Sequence, residues 1–316
     1  MSGILGLHHM TAISGPAQEN VDFYAGTLGL RLVKKTVNFD DPFAYHLYYG
    51  DGLGTPGTIL TFFPYPDGYQ SRPGAGQVVA TSLSVPVDSL GFWIDRFAAE
   101  VVPFEMPVER DGVMAMTFLA PDGLQLELVG DPGYQAPAAL AAGPVPVEHA
   151  IGGMHSVTLL EKVLDYTDET LVQHLGFTRS PDDDDVRVVY QVGDGRRAHV
   201  DVRTELHAPR ARAGHGSVHH IAFRVATQEE QEIIRQSLVG VGFNVSAVLD
   251  RSYFHSIYFR EPGGVLFEIA TDPPGFGVDE AMEELGTHLR LPAQHEHLRE
   301  QLEDSLPPLV VPQWSR

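Results

Sequence analysis

The chain of 316 residues contains no cysteine. That excludes disulfides, thiolate nucleophiles, zinc–thiolate clusters and iron–sulfur centres, so any metal must be held by nitrogen and oxygen. Positive charge is scarce: 21 Lys and Arg stand against 42 Asp and Glu, a formal net charge of −21. Such a chain repels phosphate backbones and anionic lipid, so neither nucleic acid nor membrane is an expected partner. No apolar run is long enough to span a bilayer, and Met1 to Met10 lacks the basic and apolar pattern of a secretory leader. The default reading is a cytoplasmic protein. What the chain does hold is imidazole, 15 histidines, within a 43% hydrophobic composition that supports about two domains.

Internal repetition organises the rest. Pro121-Asp122-Gly123-Leu124-Gln125-Leu126-Glu127 and Pro262-Gly263-Gly264-Val265-Leu266-Phe267-Glu268 each lead from a turn into an apolar strand with one carboxylate, and Asp131-Pro132 and Asp272-Pro273 follow at the same offset. Pro56-Gly57-Thr58-Ile59-Leu60-Thr61-Phe62 has the same shape, with Phe62 in the place of the acid. Strand openings repeat as Leu7-His8-His9-Met10-Thr11, Met154-His155-Ser156-Val157 and Val218-His219-His220-Ile221, with Val78-Val79-Ala80-Thr81 as a fourth. Helical patterns follow at 18–28, 89–99, 164–175 and 229–239, with starts favoured at Pro16, Asp88 and Thr227 and endings near Gly29, Gly176 and Gly242. The expected fold is α+β. Four βαβββ units, roughly 6–65, 78–131, 152–203 and 217–272, form two paired-unit domains whose mixed sheets curl into half-open barrels. The chain divides into an N-terminal domain over 1–132, an Ala/Pro/Gly-rich linker over 133–148, a C-terminal domain over 149–273 and a helical tail over 274–316, with helices expected at 279–285 and 295–306. The acidic stretch 181–185 reads as a solvated loop tip.

A lone histidine on a strand is usually structural, but His9, His220 and Glu268 occupy matching places in the first and last units. If those units pair about a pseudo-twofold axis, the three converge in one cavity. A carboxylate among Val265, Leu266, Phe267, Ile269 and Ala270 needs a partner. Two imidazoles and one carboxylate leave a divalent ion with open positions, the set suited to non-haem Fe(II) with substrate and dioxygen side by side. Phe62 in the fourth position argues against a second carboxylate and so against Lewis-acid isomerase chemistry. The other pair of units offers Ala80, Glu127, His155, and His199 or Asp201, and reads as a decayed copy. Strand alternation lets only one histidine of each doublet face the cavity. Aligning His155 with His9 selects His9 and His220, leaving His8 and His219 to steer a ligand or move a proton, or to serve structure alone.

The sequence resembles the vicinal oxygen chelate superfamily of glyoxalases and extradiol dioxygenases, and within it the ring-cleaving dioxygenases of hydroquinones. The resemblance rests on Leu7-His8-His9-Met10-Thr11, Tyr45-His46-Leu47-Tyr48-Tyr49, Gly54-Thr55-Pro56-Gly57-Thr58, Pro146-Val147-Glu148-His149-Ala150, His219-His220, Arg251-Ser252-Tyr253-Phe254, Ser256-Ile257-Tyr258 and the strand ending in Glu268. It implies metal ligation by His9, His220 and Glu268, with His8, Thr11, His219, Arg251 and Tyr258 as supporting catalytic residues. It implies Fe(II) as cofactor, with Mn(II) or Zn(II) as alternatives, and a small aromatic substrate plus O2 as partners. His255 departs from an acidic residue in relatives. Arg251 can hold an oxyanion or serve in a surface ion pair; Tyr258 can donate to bound substrate or oxygen, or be a core tyrosine; His46, Tyr48 and Tyr49 line a pocket or fill a core. Units can pair within one chain or between copies, so a homo-oligomer is among the expected arrangements. The rival readings are a glyoxalase-like isomerase or lyase and a metal-free binder of small molecules.

Overall fold

The computed structural model describes residues 3–139, 143–180, 186–193 and 198–312. The acidic stretch 181–185 lies outside the described residues. The first unit comprises β1 (Gly6–Ser14), α1 (Ala17–Val21, continued by a π-helical turn over Asp22–Thr27), β2 (Arg31–Val37), β3 (Tyr45–Gly50) and β4 (Ile59–Pro64). The second comprises β5 (Gln77–Val85), α2 (Leu90–Ala99), β6 (Val108–Arg110), β7 (Val113–Leu119) and β8 (Gln125–Gly130). The third comprises β9 (Gly153–Glu161), α3 (Asp165–Glu169, again continued by a π-helical turn over Thr170–His174), β10 (Thr178–Arg179), β11 (Arg187–Gln191) and β12 (His199–Thr204). The fourth comprises β13 (Ser217–Val225), α4 (Gln228–Gly240), β14 (Leu249–Asp250), β15 (Phe254–Arg260) and β16 (Leu266–Pro274).

Local chemistry explains the helices. On α2 the buried residues Leu90, Trp93 and Phe97 fall on one face at helical spacing. On α4 the Thr227 side chain accepts from the Glu230 amide, and Glu230 reaches back to the Ala226 amide, a reciprocal cap that defines the first turn. Helix α2 packs on β8, and α4 packs across β13, β15 and β16. Residues of alternate parity on the strands face inward.

The strands form two eight-stranded sheets, ordered β14-β15-β16-β13-β1-β4-β3-β2 and β10-β11-β12-β9-β5-β8-β7-β6. Each curls into a half-barrel of α+β type. The first sheet joins units one and four through antiparallel β1 and β13, and the second joins units two and three through antiparallel β5 and β9. Each sheet therefore draws one unit from either side of the segment 133–148, and the two halves of the sequence share both sheets. That segment is anchored in part where described: Val145 is buried, and Arg96 donates to the Pro144 carbonyl.

The tail is less helical than its sequence pattern. Residues 279–285 form turns, while a 3-10 turn at Ala293–Leu298 leads into α5 (Arg299–Ser305). Asp279 and Glu280 both bond the buried Lys34 ammonium, at 2.6 and 2.5 Å. Consecutive residues of a helix do not share a face, so this double contact opposes helix there. Among the described residues no helix is long and apolar enough to cross a membrane.

Candidate metal centre

The first half-barrel encloses a cavity of about 420 Å³, with His9, His220, His219, Arg251 and Tyr258 in its polar wall and Ile13, Phe63, Phe254 and Leu266 in its apolar wall. Three ligand atoms meet at its base. Glu268 Oε2 lies 3.2 Å from His9 Nε2 and 2.9 Å from His220 Nε2, and the two nitrogens are 3.3 Å apart. All three side chains are buried, Glu268 completely.

Adjacent strands deliver them. β13 and β16 run parallel with Ala222 beside Glu268, so His220 and Glu268 share the inner face; β1 crosses antiparallel with Thr11 beside His220. The β1–β13 register slips at two points, leaving His8 and His219 as the extra residues of β-bulges. The bulges correct the expectation from strict alternation. Both histidines of a doublet come together, His8 Nδ1 with His9 Nδ1 at 2.9 Å and His219 Nδ1 with His220 Nδ1 at 2.8 Å. If Nε2 is kept for a ligand, His9 and His220 carry their protons on Nδ1 and donate them to the neighbour. His8 does not line the cavity; it is buried against Phe254 and steadies His9. His219 does line it, between Phe63 and His220.

Electrostatics favours a cation. Burial alone would raise the Glu268 carboxyl, but the pull of His9 and His220 holds it well below the usual carboxylate range. Burial lowers the His220 imidazole despite the carboxylate beside it, and burial with the charge of His220 pushes His219 down to about 3, although its ring opens to the cavity. Glu268 Oε1 accepts a 2.5 Å hydrogen bond from Ser256 Oγ, whereas Oε2 faces both Nε2 atoms and accepts a hydrogen bond from neither. Three donors around one ion at about 2.1 Å, at right angles, would stand about 3.0 Å apart. The observed 2.9–3.3 Å triangle fits a facial set. Among the described residues this is the one grouping of three or more His and carboxylate ligand atoms close enough to hold a metal ion.

The register also revises the fourth position. On parallel β1 and β4, Thr11 stands beside Thr61, as Ala222 stands beside Glu268 on β13 and β16. Thr61 is therefore the counterpart of Glu268, one residue before the expected Phe62. Phe62 points to the outer face and packs on Tyr24, with ring centroids 4.2 Å apart. Thr61 Oγ1 bonds Thr11 Oγ1 and His46 Nε2, both at 2.8 Å, and His46 Nδ1 bonds the Tyr48 hydroxyl at 2.9 Å. Thr11 is wholly buried and touches the cavity only through this chain, while His46 and Tyr48 line it directly. Tyr49 turns outward to Asn20.

Tyr258 and Arg251 both line the cavity. Burial and the charge of Glu268 push the Tyr258 hydroxyl far up, so it is a donor at neutral pH. The Arg251 guanidinium sits 5.4 Å from the Tyr258 ring and 5.3 Å from the Phe39 ring, and bonds exposed Asp40 at 3.2 Å. His255 is not a cavity residue; its backbone joins Gln231 and Thr271. Sequence reasoning overlooked Ser256 as the carboxylate's partner, although it lies two residues from Tyr258 on the same strand face. It also overlooked Asn38 and Tyr65, bonded at 3.2 Å in the cavity wall. Neither had a repeat to mark it.

The second half-barrel shows the same positions resolved differently. There Val79 and His155 are the bulge residues, so His155 corresponds to His219, and Ser156 and Ala80 take the places of His220 and His9. The alignment of His155 with His9 was one residue out. Asp201, in the position of Glu268, pairs with Arg187 at 2.7 Å, and Glu127 pairs with Arg110 at 2.6 Å and Ser82 at 2.6 Å. The acids of this copy satisfy themselves internally with arginine.

A family model described as "Glyoxalase/Bleomycin resistance protein/Dioxygenase superfamily" matches residues 6–128 and 153–269. The protein named "Putative ring-cleaving dioxygenase MhqO" from Bacillus subtilis (strain 168) is 44% identical over 97% of each chain. The "Chlorohydroquinone/hydroquinone 1,2-dioxygenase" of Sphingobium indicum is 37% identical over 94% of each chain. A crystal structure described as a "putative dioxygenase" from Bacillus subtilis superposes with a TM-score of 0.94 at 43% identity, covering 99% of this chain and 100% of the other.

Proposed function

The chain belongs to the glyoxalase/bleomycin resistance protein/dioxygenase superfamily, and from that premise we propose that it is an Fe(II)-dependent dioxygenase that opens the ring of hydroquinone-type aromatics. His9, His220 and Glu268 would hold the ion, with Mn(II) or Zn(II) as weaker candidates. The observation that carries this reading is the buried carboxylate oxygen of Glu268, faced by two imidazole nitrogens and hydrogen-bonded by none. The metal's contribution would be redox: an electronic path between an aromatic diol and dioxygen held side by side.

The chain's own residues do the rest. Phe63, Phe254, Ile13 and Leu266 clasp the flat faces of a ring and exclude water. The Tyr258 hydroxyl, kept protonated, donates to an oxygen of the substrate or of dioxygen. Arg251, held over Tyr258 and Phe39, stabilises negative charge developing at the same end. His219, neutral and open to the cavity, accepts from His220 at Nδ1 and so presents an Nε2–H that donates to a substrate oxygen. Ser256 and His8 orient Glu268 and His9.

The isomerase reading wants a second carboxylate, and Thr61 stands in its place, bonded to Thr11 and His46. The test is reconstitution with Fe(II), Zn(II) or no metal under anaerobic conditions, followed by air and a panel of hydroquinones and catechols. Oxygen uptake with Fe(II) alone, fastest on hydroquinones, is expected. Turnover without oxygen would establish an isomerase, and ligand binding by metal-free protein without turnover would establish a binder.

A further inference from the structure

A second cleft, of about 770 Å³, abuts the first and shares His219, His220 and Leu266 with it. It lies between the two half-barrels, bounded by the start of β5, the end of β9 and the β15–β16 turn. Three cations line it: Lys162, Arg210 and Arg260. None of them pairs with a carboxylate among the described residues, whereas Arg110, Arg187, Arg224 and Arg251 all do. In a chain with twice as many acids as bases, unpaired cations gathered on one concave wall are matched to an anionic ligand. Arg260 lines the cleft together with His219, His220 and Leu266, the residues common to both cavities, and its Nη1 donates to the Gly264 carbonyl at 2.9 Å.

The cleft also holds a spare polar group. Glu161 is 2% exposed, and its Oε1 has no hydrogen-bond partner. The neighbouring Glu261 is fully engaged by the amides of Gly263 and Val265 and by Thr167 Oγ1. Burial and the charge of Glu261 push the Glu161 carboxyl up to about 8, so at neutral pH it carries a proton. It can donate to a carbonyl oxygen.

The chemistry of the proposed reaction supplies such a ligand. One hydroquinone and one dioxygen combine with no other reactant. The bond between a hydroxyl-bearing carbon and its neighbour breaks, and one oxygen atom is added to each carbon. Dioxygen is reduced, the two carbons are oxidised, and the opened chain ends in a carboxyl group and an aldehyde. The substrate is neutral and the product, having released a proton, is an anion. We propose that the basic cleft is a carboxylate-binding site that receives the ring-opened acid from the metal centre, with Arg260 as its first contact and Glu161 as a donor to a carbonyl oxygen. This rests on the dioxygenase reading for the identity of the ligand, and on the cleft alone for its class.

The probe is muconate, a stable linear diacid, titrated calorimetrically into the full-length metal-loaded protein. Muconate is expected to bind with salt-sensitive affinity. Lys162→Gln with Arg260→Gln should weaken it by about tenfold or more, Arg260→Lys should restore most of the loss, and the KM for hydroquinone should change less than about twofold. Failure of wild type to bind muconate, or equal binding by the double variant, overturns the proposal. Oxygen uptake is read separately. Muconate binding lost in the variant, in a protein that consumes no oxygen with any diol, would leave the carboxylate site standing and sink the dioxygenase reading. Normal turnover with variant-insensitive binding would sink the cleft alone.

Discussion

Glu268→Gln separates a metal ligand from a structural ion pair. The amide has the shape of the carboxyl, and its oxygen can still accept from Ser256. In metal-free protein the desolvation cost of the buried charge is offset by the pull of His9 and His220, so its removal should move the metal-free melting point only slightly. Metal separates the two proteins. At a free concentration of about 100 times Kd, a ligand stabilises the folded state by about 2.7 kcal/mol. For a chain of this size that corresponds to a rise in Tm of about 5 °C. Outer partners of a metal ligand are worth about 10–100-fold in affinity, so losing the charged ligand itself should cost about 100-fold or more. At the same metal concentration the variant then gains about 0.4 kcal/mol, less than about 1 °C. The assay is anaerobic scanning calorimetry with and without Fe(II), using Mn(II) as an air-stable check. Two results refute the reasoning: a full metal-induced shift in the variant, or a metal-free variant melting several degrees below metal-free wild type. The second would mean that Glu268 is held as Asp201 is held by Arg187.

The histidine doublets give a second test: His220→Ala should abolish metal binding, whereas His8→Ala and His219→Ala should retain it with about 10–100-fold weaker affinity, read by metal analysis after dialysis. Arg110→Met should leave Glu127 buried without its cation and cost about 3 kcal/mol in a denaturant melt, with metal content unchanged, since the second half-barrel takes no part in the site. Glu161 gives a pH test. Burial and the charge of Glu261 raise its folded pKa to about 8, above the ordinary carboxyl range, so the stability linked to its proton is full below the unfolded value and is lost as pH rises through the folded one. Glu161→Gln should therefore gain on wild type between about pH 5 and pH 9, reaching a few kcal/mol at the alkaline end, and a stability gap that stays flat over that window would count against it.

What could be read before the structure was whatever repeats along the chain. Four openings, four helices and three glycine-led strands mark the units, and histidine doublets confined to the first and last openings point to the pairing of those two. Register could not be read, because it depends on partner strands. The bulges at His8 and His219 leave no mark in a string of letters, yet they decide that both members of a doublet meet. Counting from Pro56 places Phe62 opposite Glu268, while the strand pairing places Thr61 there. His155 shows the same limit: it resembles His9 in sequence and occupies the site of His219 in the sheet. The choice of His9 and His220 as the facing pair rested on that misalignment, and the structure brings their Nε2 atoms together at Glu268 for a different reason, the paired bulges. Arg110 and Arg187 were unreadable for another reason. Each reaches its acid across a hairpin or an interstrand gap, and arginine in a turn-rich segment looks like any surface cation.

The two half-barrels pose the same physical problem and solve it twice. A carboxylate on the inner face of a curled sheet is desolvated, and the interior must supply positive charge or the fold loses stability. In the second half-barrel the solution is covalent to the chain: Arg187 bonds Asp201 and Arg110 bonds Glu127. In the first, the corresponding acid meets two imidazoles, of which burial keeps His220 from supplying full charge, and Thr61 has removed the fourth acid that would demand more. On the proposed function the remaining positive charge comes from outside the sequence, and it must be small enough to sit among atoms 2.9–3.3 Å apart. A divalent ion meets both conditions, and an arginine meets only the first. Ser156 and Ala80 in place of histidines close the argument from the other side, because the half-barrel that carries its own cations has dispensed with both imidazoles.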